Sequence, residues 1–140
     1  MTKSQLLFDS NIIYRLIREL PQGAMEKLVE GSTIYLAYYE LGNALWRESL
    51  LLKRISIEEA EKSLDLMYSI LEHMQVSMLD KETGKEVLHT AHKFNLTFYD
   101  TAYLATAKKT GKTLVTDDVK LAKASEKLCI KTLSSKTFME

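Results

Sequence analysis

A single cysteine, Cys129, excludes any disulfide framework within this chain. Its apolar neighbours in "KLCIKTL" mark it as a small buried hydrophobe. One proline, Pro21, and five glycines leave no linker, and no repeat or low-complexity tract is visible. Residues 1–140 are therefore expected to fold as one domain, long enough to bury a core without a structural metal. Excess charge of one sign is also missing. Nineteen basic residues balance nineteen acidic ones, which argues against the strongly basic footprint of a general nucleic-acid coat protein. Long hydrophobic runs are absent too. "MTKSQLLFDSNIIYRLIREL" is broken at Asp9 and Asn11, carries no small-residue cleavage site, and is too interrupted to span a bilayer. The expected compartment is the cytoplasm, with no membrane partner.

What is present is an alternation of short apolar runs with helical periodicity. "QLLF" reads as a buried strand, and "NIIYRLIREL" as a helix stopped by "PQG". "STIYLAY" reads as a second strand, followed by a helix over "ELGNALWRESLLLKR" that places Leu41, Leu45, Glu48 and Leu52 on one face, with Ala44 and Leu51 beside it. Ser56 and Glu59 have capping-box spacing, so a helix starts there and runs through "AEKSLDLMYSILEHM". "VSML" is a short third strand, after which Asp80 caps a helix over "KETGKEVLHTAHKF". "DTAYLATAKKTG" is a helix with lysines in its last turn and Gly111 just beyond. "TLVT", "VKLAKASEKL" and "IKTL" complete the chain as strand, helix and strand. Strands alternating with helices imply a three-layer α/β/α sandwich around a parallel sheet of four to five strands.

In such sheets ligands bind outside the carboxyl ends of the strands. Asp9 ends the first strand, Glu40 falls in the first helical turn after the second, and Asp117 and Asp118 follow the fourth. Asp100 opens the helix before that fourth strand, with Phe98 and Tyr99 expected to bury its approach. Each acid alone is explained as a helix cap, as Asp80 is. Together they are costly: unit charges ~4 Å apart repel by about 4 kcal/mol at an effective dielectric of ~20. A divalent cation among them offsets that cost. Hard oxygen ligands without nearby Cys or His suit Mg²⁺ or Mn²⁺, which can activate water beside a phosphoryl group.

"LLFDSNIIY", "YYELGNALW", "FYDTAYLATA" and "LVTDD" resemble, in order, the four acidic motifs of the PIN-domain ribonucleases, and among them the VapC-type toxins of prokaryotic toxin–antitoxin systems. The resemblance covers essentially the whole chain. It implies a Mg²⁺- or Mn²⁺-dependent endoribonuclease, usually a homodimer, inhibited by a cognate antitoxin that inserts a peptide near the acids. The family's carboxylates fall on Asp9, Glu40 and Asp100. Its last motif, Thr, a variable residue, then Asp, falls on Thr116 and Asp118. Asp117 occupies the variable place, so either of the adjacent pair could face the metal, Asp118 by preference. On this reading Asp9, Glu40, Asp100 and Asp118 hold the ion, while Ser10, Asn11, Thr116 and Asp117 steady them. The alternative is a non-catalytic PIN-like module that binds RNA or protein. A phospho-acceptor receiver domain fits poorly, because its acidic pair should follow the first strand.

The weaker candidates each have a plainer reading. His89 and His92 lie one turn apart but lack further ligands, so they are read as exposed or capping. Tyr35, Tyr38 and Tyr39 are read as core or dimer surface rather than base-stacking platforms, and Trp46 as core. Arg15 and Arg18 could reach a phosphate or simply face solvent. From Thr97 onward eight lysines face five acids, a candidate rim for RNA phosphates.

Overall fold

The computed structural model describes residues 2–139. Five parallel strands form one sheet in the order β3-β2-β1-β4-β5. They are β1 (Leu6–Phe8), β2 (Ser32–Ile34), β3 (Gln75–Ser77), β4 (Thr113–Val115) and β5 (Thr132–Leu133). The helices are α1 (Ser10–Glu19), α2 (Ala24–Leu28), α3 (Leu36–Trp46), α4 (Ile57–His73), α5 (Lys81–Phe94), α6 (Phe98–Thr110), α7 (Val119–Lys127) and α8 (Ser135–Met139). This is the parallel α/β arrangement, with helices flanking the sheet, expected from the alternation of strand and helix.

Each central strand is buried on both faces, so successive residues feed opposite cores. Phe8 packs with Ile12, Ile13 and Leu16 of α1 and with Leu41, Met67 and Ile70 from α3 and α4. Its neighbour Leu7 joins Ile34, Val87, Tyr103, Leu104 and Leu121 on the other side, against α5, α6 and α7. Gly31, just before β2, is where this packing is tightest. A Cβ there would lie 2.3 Å from Cε2 of the fully buried Phe8 ring, so the chain passes only without a side chain.

The expected caps are present. Ser56 and Glu59 form the reciprocal capping box of α4, Asp80 accepts from the Thr83 amide, and Gly111 ends α6 in the left-handed conformation. Four expectations change. The second strand ends at Ile34, because the backbone is already helical at Tyr35, so Glu40 lies in the second turn of α3 rather than its first. A π-helical turn, Arg47–Leu51, continues α3 and shifts the phase of its face. Leu51 and Leu52 are consequently exposed, as is Trp46. Phe98 and Tyr99 also face solvent, because Thr97 caps α6 and leaves them in its outward-facing first turn. Cys129 is exposed rather than buried, carried outward by a left-handed backbone at φ 60°. His89 and His92 are exposed, as expected. Among the described residues no helix is long and apolar enough to cross a membrane.

Candidate active site

The sheet order decides where a ligand can enter. α1, which follows β1, and α7, which follows β4, pack on opposite faces, so a crevice opens beyond the carboxyl ends of these neighbouring strands. Phe8 is in register with Val115, which sets Asp9 beside Thr116. Asp9 caps α1, its Oδ1 accepting the Ile12 amide at 2.9 Å, while Oδ2 accepts the Thr116 hydroxyl at 2.5 Å. The residue is only 5% exposed. Burial pushes its carboxyl up to about 6; the two hydrogen bonds oppose that rise, and the negative charges of Asp117 and Glu40 add to it.

Glu40 reaches the same place from α3. Its Oε1 accepts from the Ser10 hydroxyl at 3.0 Å and from the Tyr103 hydroxyl at 2.7 Å. Burial, and next the Glu40 charge, hold the Tyr103 phenol far above its ordinary range, so it stays a donor. Tyr103 was not singled out from sequence, since an aromatic among alanines reads as core. The signal that could have found it is its position one turn after Asp100, on the same side of α6. Asp100 itself is half-buried, and its amide donates to the capping Thr97 hydroxyl, so it sits inside the first turn rather than opening the helix.

The adjacent acids after β4 part company. Asp118 caps α7, accepting the Leu121 amide at 3.0 Å, and its own amide donates to Thr116 Oγ1. Thr116 thereby links Asp118 to Asp9. Asp117 turns toward α1 and α8, accepting the Ser135 amide at 2.8 Å and Arg15 at 3.2 Å. Burial disfavours its charge, but the bonds from Ser135 and Arg15 outweigh it and hold the carboxyl below its usual value. Arg15 also donates to the Ser135 hydroxyl at 2.9 Å, and Arg18 donates to Ser63, so both arginines have partners within the fold.

All the carboxylates and hydroxyls at this crevice are hard oxygen donors, and buried, costly Asp9 is the group a cation would relieve. That chemistry fits Mg²⁺ or Mn²⁺. Yet among the described residues no three His, Cys, Asp or Glu side chains stand close enough to share an ion. Asp9 and Asp118 are turned onto the first-turn amides of the helices they cap. The structure thus brings Asp9, Glu40, Ser10 and Tyr103 together, while Asp118 is held as the α7 cap and Asp100 in the first turn of α6.

Beside this cluster lies a cleft of about 870 Å³ lined by Ser10, Asn11, Tyr39, Glu40, Asn43, Arg47 and Tyr99, with Leu36 and Ala44. Its one cation is Arg47. Among the described residues no lysine lines this cleft; of those expected at the rim, Lys108, Lys112 and Lys131 line a separate pocket at the opposite end of the sheet, where Lys112 bonds Ser32 and Gln75.

The PIN domain family model matches residues 6–127 of the chain. The exonuclease VapC9 of Pyrobaculum aerophilum is 33% identical over 132 residues, covering 92% of each chain. Ribonuclease VapC3 of the same organism is 33% identical over 106 residues, covering 74% of this chain and 78% of its own. Among solved structures, PAE2754 from Pyrobaculum aerophilum superposes with a TM-score of 0.77 at 27% identity, covering 96% of this chain and 93% of its own. VapBC2 from Rickettsia felis, solved bound to a DNA fragment from its promoter, shares the fold at a TM-score of 0.63 and 15% identity, covering 92% and 97%. With acids arranged around the β1/β4 crevice and a family model that spans most of its length, this chain belongs to the PIN-domain family of nucleases, as a relative of the VapC toxins.

Proposed function

We propose that this protein is a Mg²⁺- or Mn²⁺-dependent endoribonuclease and the toxin half of a toxin–antitoxin pair. The observation that carries the reading is Asp9: a carboxylate buried at the β1/β4 crevice, raised to about 6, with Glu40 beside it. A fold keeps such a group at a cost unless a charged ligand uses it. Asp9, Glu40, Asp100 and Asp118 would hold the ion, which supplies charge stabilisation for the phosphoryl group and an activated water when bound. Ser10 and Tyr103 orient Glu40, Thr116 orients Asp9, and Asn11 lines the approach. Asp117 acts at a remove, fastening α8 to α1 with Arg15.

The test is a circular single-stranded RNA incubated with the purified protein. An endonuclease opens the circle in Mg²⁺ or Mn²⁺ and is stopped by chelator. A circle that stays closed while linear RNA is shortened would make the activity exonucleolytic, as one relative's name has it. Cleavage indifferent to chelator would remove the metal from the account. Because among the described residues no three acidic, histidine or cysteine side chains stand close enough to share an ion, the non-catalytic reading keeps one observation in its favour. Binding without cleavage of either substrate, in either metal, would establish it.

The same reading includes a homodimer and a cognate antitoxin. Trp46, Leu50, Leu51, Leu52 and Ile57 are exposed where α3 runs out and α4 begins, and this apolar patch is the seam we assign to two copies. Light scattering at micromolar concentration should give twice the chain mass. Leu51→Asp should return it to one, and an unchanged mass would move the seam elsewhere.

A further inference from the structure

The seven tyrosines of the chain divide into five that the fold uses and two that it does not. Tyr35 stacks on Tyr38, which meets Tyr68 edge to face; Tyr14 lies under Arg18; Tyr103 donates to Glu40. Tyr39 and Tyr99 are 77% and 62% exposed and have no aromatic or cationic ring partner among the described residues. They come from different helices, α3 and α6, yet line the same cleft as Glu40.

The arginines divide in the same way. Arg15, Arg18 and Arg54 are bonded to Asp117, Ser63 and Glu48, whereas Arg47 joins no ion pair among the described residues and lines the cleft. On α3 the positions 36, 39, 40, 43 and 44, with Arg47 at the start of the π-helical turn that continues it, line the cleft as one helical stripe. Arg47 stands two turns beyond Glu40, about 10 Å along the axis at 1.5 Å per residue. A cation at that distance can meet a phosphate of the same strand without competing for the one being attacked.

We propose, on the basis that the site handles RNA, that Tyr39 and Tyr99 form a stacking clamp for an unpaired base, with Arg47 holding a phosphate of the same strand. The clamp selects single-stranded RNA. A base inside a duplex has both faces covered by its neighbours, whereas a splayed base offers a π-face to an aromatic ring. Asn11 and Asn43 give the cleft amide edges for that base. This reverses the expectation from sequence that Tyr39 belongs to core or dimer surface. It also places the phosphate contact on an arginine rather than on the lysine-rich third.

The test is binding of a fluorescein-labelled ten-nucleotide RNA, single-stranded or annealed to its complement, in chelator so that cleavage plays no part. Tyr39→Ala and Tyr99→Ala should each weaken single-strand binding by roughly 5- to 150-fold, the usual loss for one base–aromatic stack. Tyr39→Phe and Tyr99→Phe, which keep the ring, should stay within about twofold of wild type. Arg47→Ala should lower the salt dependence of binding, while Lys112→Ala, at the far end of the sheet, should leave binding unchanged. Both tyrosines are exposed, so these variants should melt with wild type. Phe variants as weak as the Ala variants, or Ala variants that bind like wild type, would overturn the clamp. So would duplex bound as tightly as single strand. The nuclease reading stands or falls separately: tyrosine-dependent binding without metal-dependent cleavage keeps the clamp and removes the nuclease, and the converse removes the clamp alone.

Discussion

Glu40→Gln and Asp9→Asn should each lower RNA cleavage by roughly 10²–10⁴-fold, the usual range for losing a group that moves or orients a proton in the reaction, while leaving the fold intact. Glutamine Oε1 still accepts from Ser10 and Tyr103, and asparagine remains a good helix cap for the Ile12 amide. At Thr116 the asparagine Nδ2 takes the place of an acceptor, so that bond must reverse, with Nδ2 donating to the hydroxyl oxygen. The main change in both variants is the loss of charge. The adjacent acids after β4 extend the test. Asp118→Asn preserves the α7 cap, so a large loss of cleavage would assign its charge to the ion. Asp117→Asn should instead lower stability, by loosening Ser135 and Arg15, with little change in rate. Cleavage at wild-type rate by the Asp9 and Glu40 variants would sink the metal-site proposal. Equal loss at 117 and 118 would mean that both charges matter.

The second large effect is on stability. With chelator present near neutral pH, Asp9→Asn should melt higher than wild type although it is the less active protein. In the folded chain the Asp9 carboxyl is raised from 3.8 to about 6, so the native state keeps a proton that the unfolded chain has released. Between those values the native state binds more protons, and stability falls as pH rises. The penalty is absent below about 3.8 and complete above about 6. It amounts to roughly 3 kcal/mol at most. Asparagine carries no charge and escapes it, so a gain of about 1–3 kcal/mol is expected, or roughly 3–10 °C in melting temperature. Near pH ~4 the two proteins should melt together. Metal reverses the ranking by mass action: an ion at a hundred times its dissociation constant stabilises the protein that binds it by about 2.7 kcal/mol. Wild type should gain that and the variant much less. A variant that melts lower than wild type at both pH values would show that Asp9 is a cap and nothing more. Sequence reasoning put this strain on the acidic set as a whole. The structure concentrates it at Asp9, because Asp100 is half-buried and Asp9 is enclosed.

The alternation of strand and helix, the caps at Ser56, Asp80 and Gly111, and the acids beyond strand ends were all legible from the residues alone. Each depends on local chemistry: the period of apolar positions, a side-chain oxygen within reach of a first-turn amide, a left-handed glycine. Four ordered motifs carried the family as well, since motif order survives without knowledge of packing. What only the tertiary structure decided was partnership. "YDTAYLATA" does not reveal that Tyr103 meets Glu40, 63 positions away in the chain. "TDD" does not say that Asp117 serves α8 while Asp118 caps α7, because the choice rests on Arg15 and Ser135 arriving from distant elements. Exposure misled for the same reason. Leu51, Leu52, Phe98, Tyr99 and Cys129 have apolar neighbours in sequence, but a π-helical turn, a helix cap and a left-handed residue turn them outward. Hydrophobic patterning reports which residues can be buried. Which of them are buried depends on which face of each element finds another to pack against.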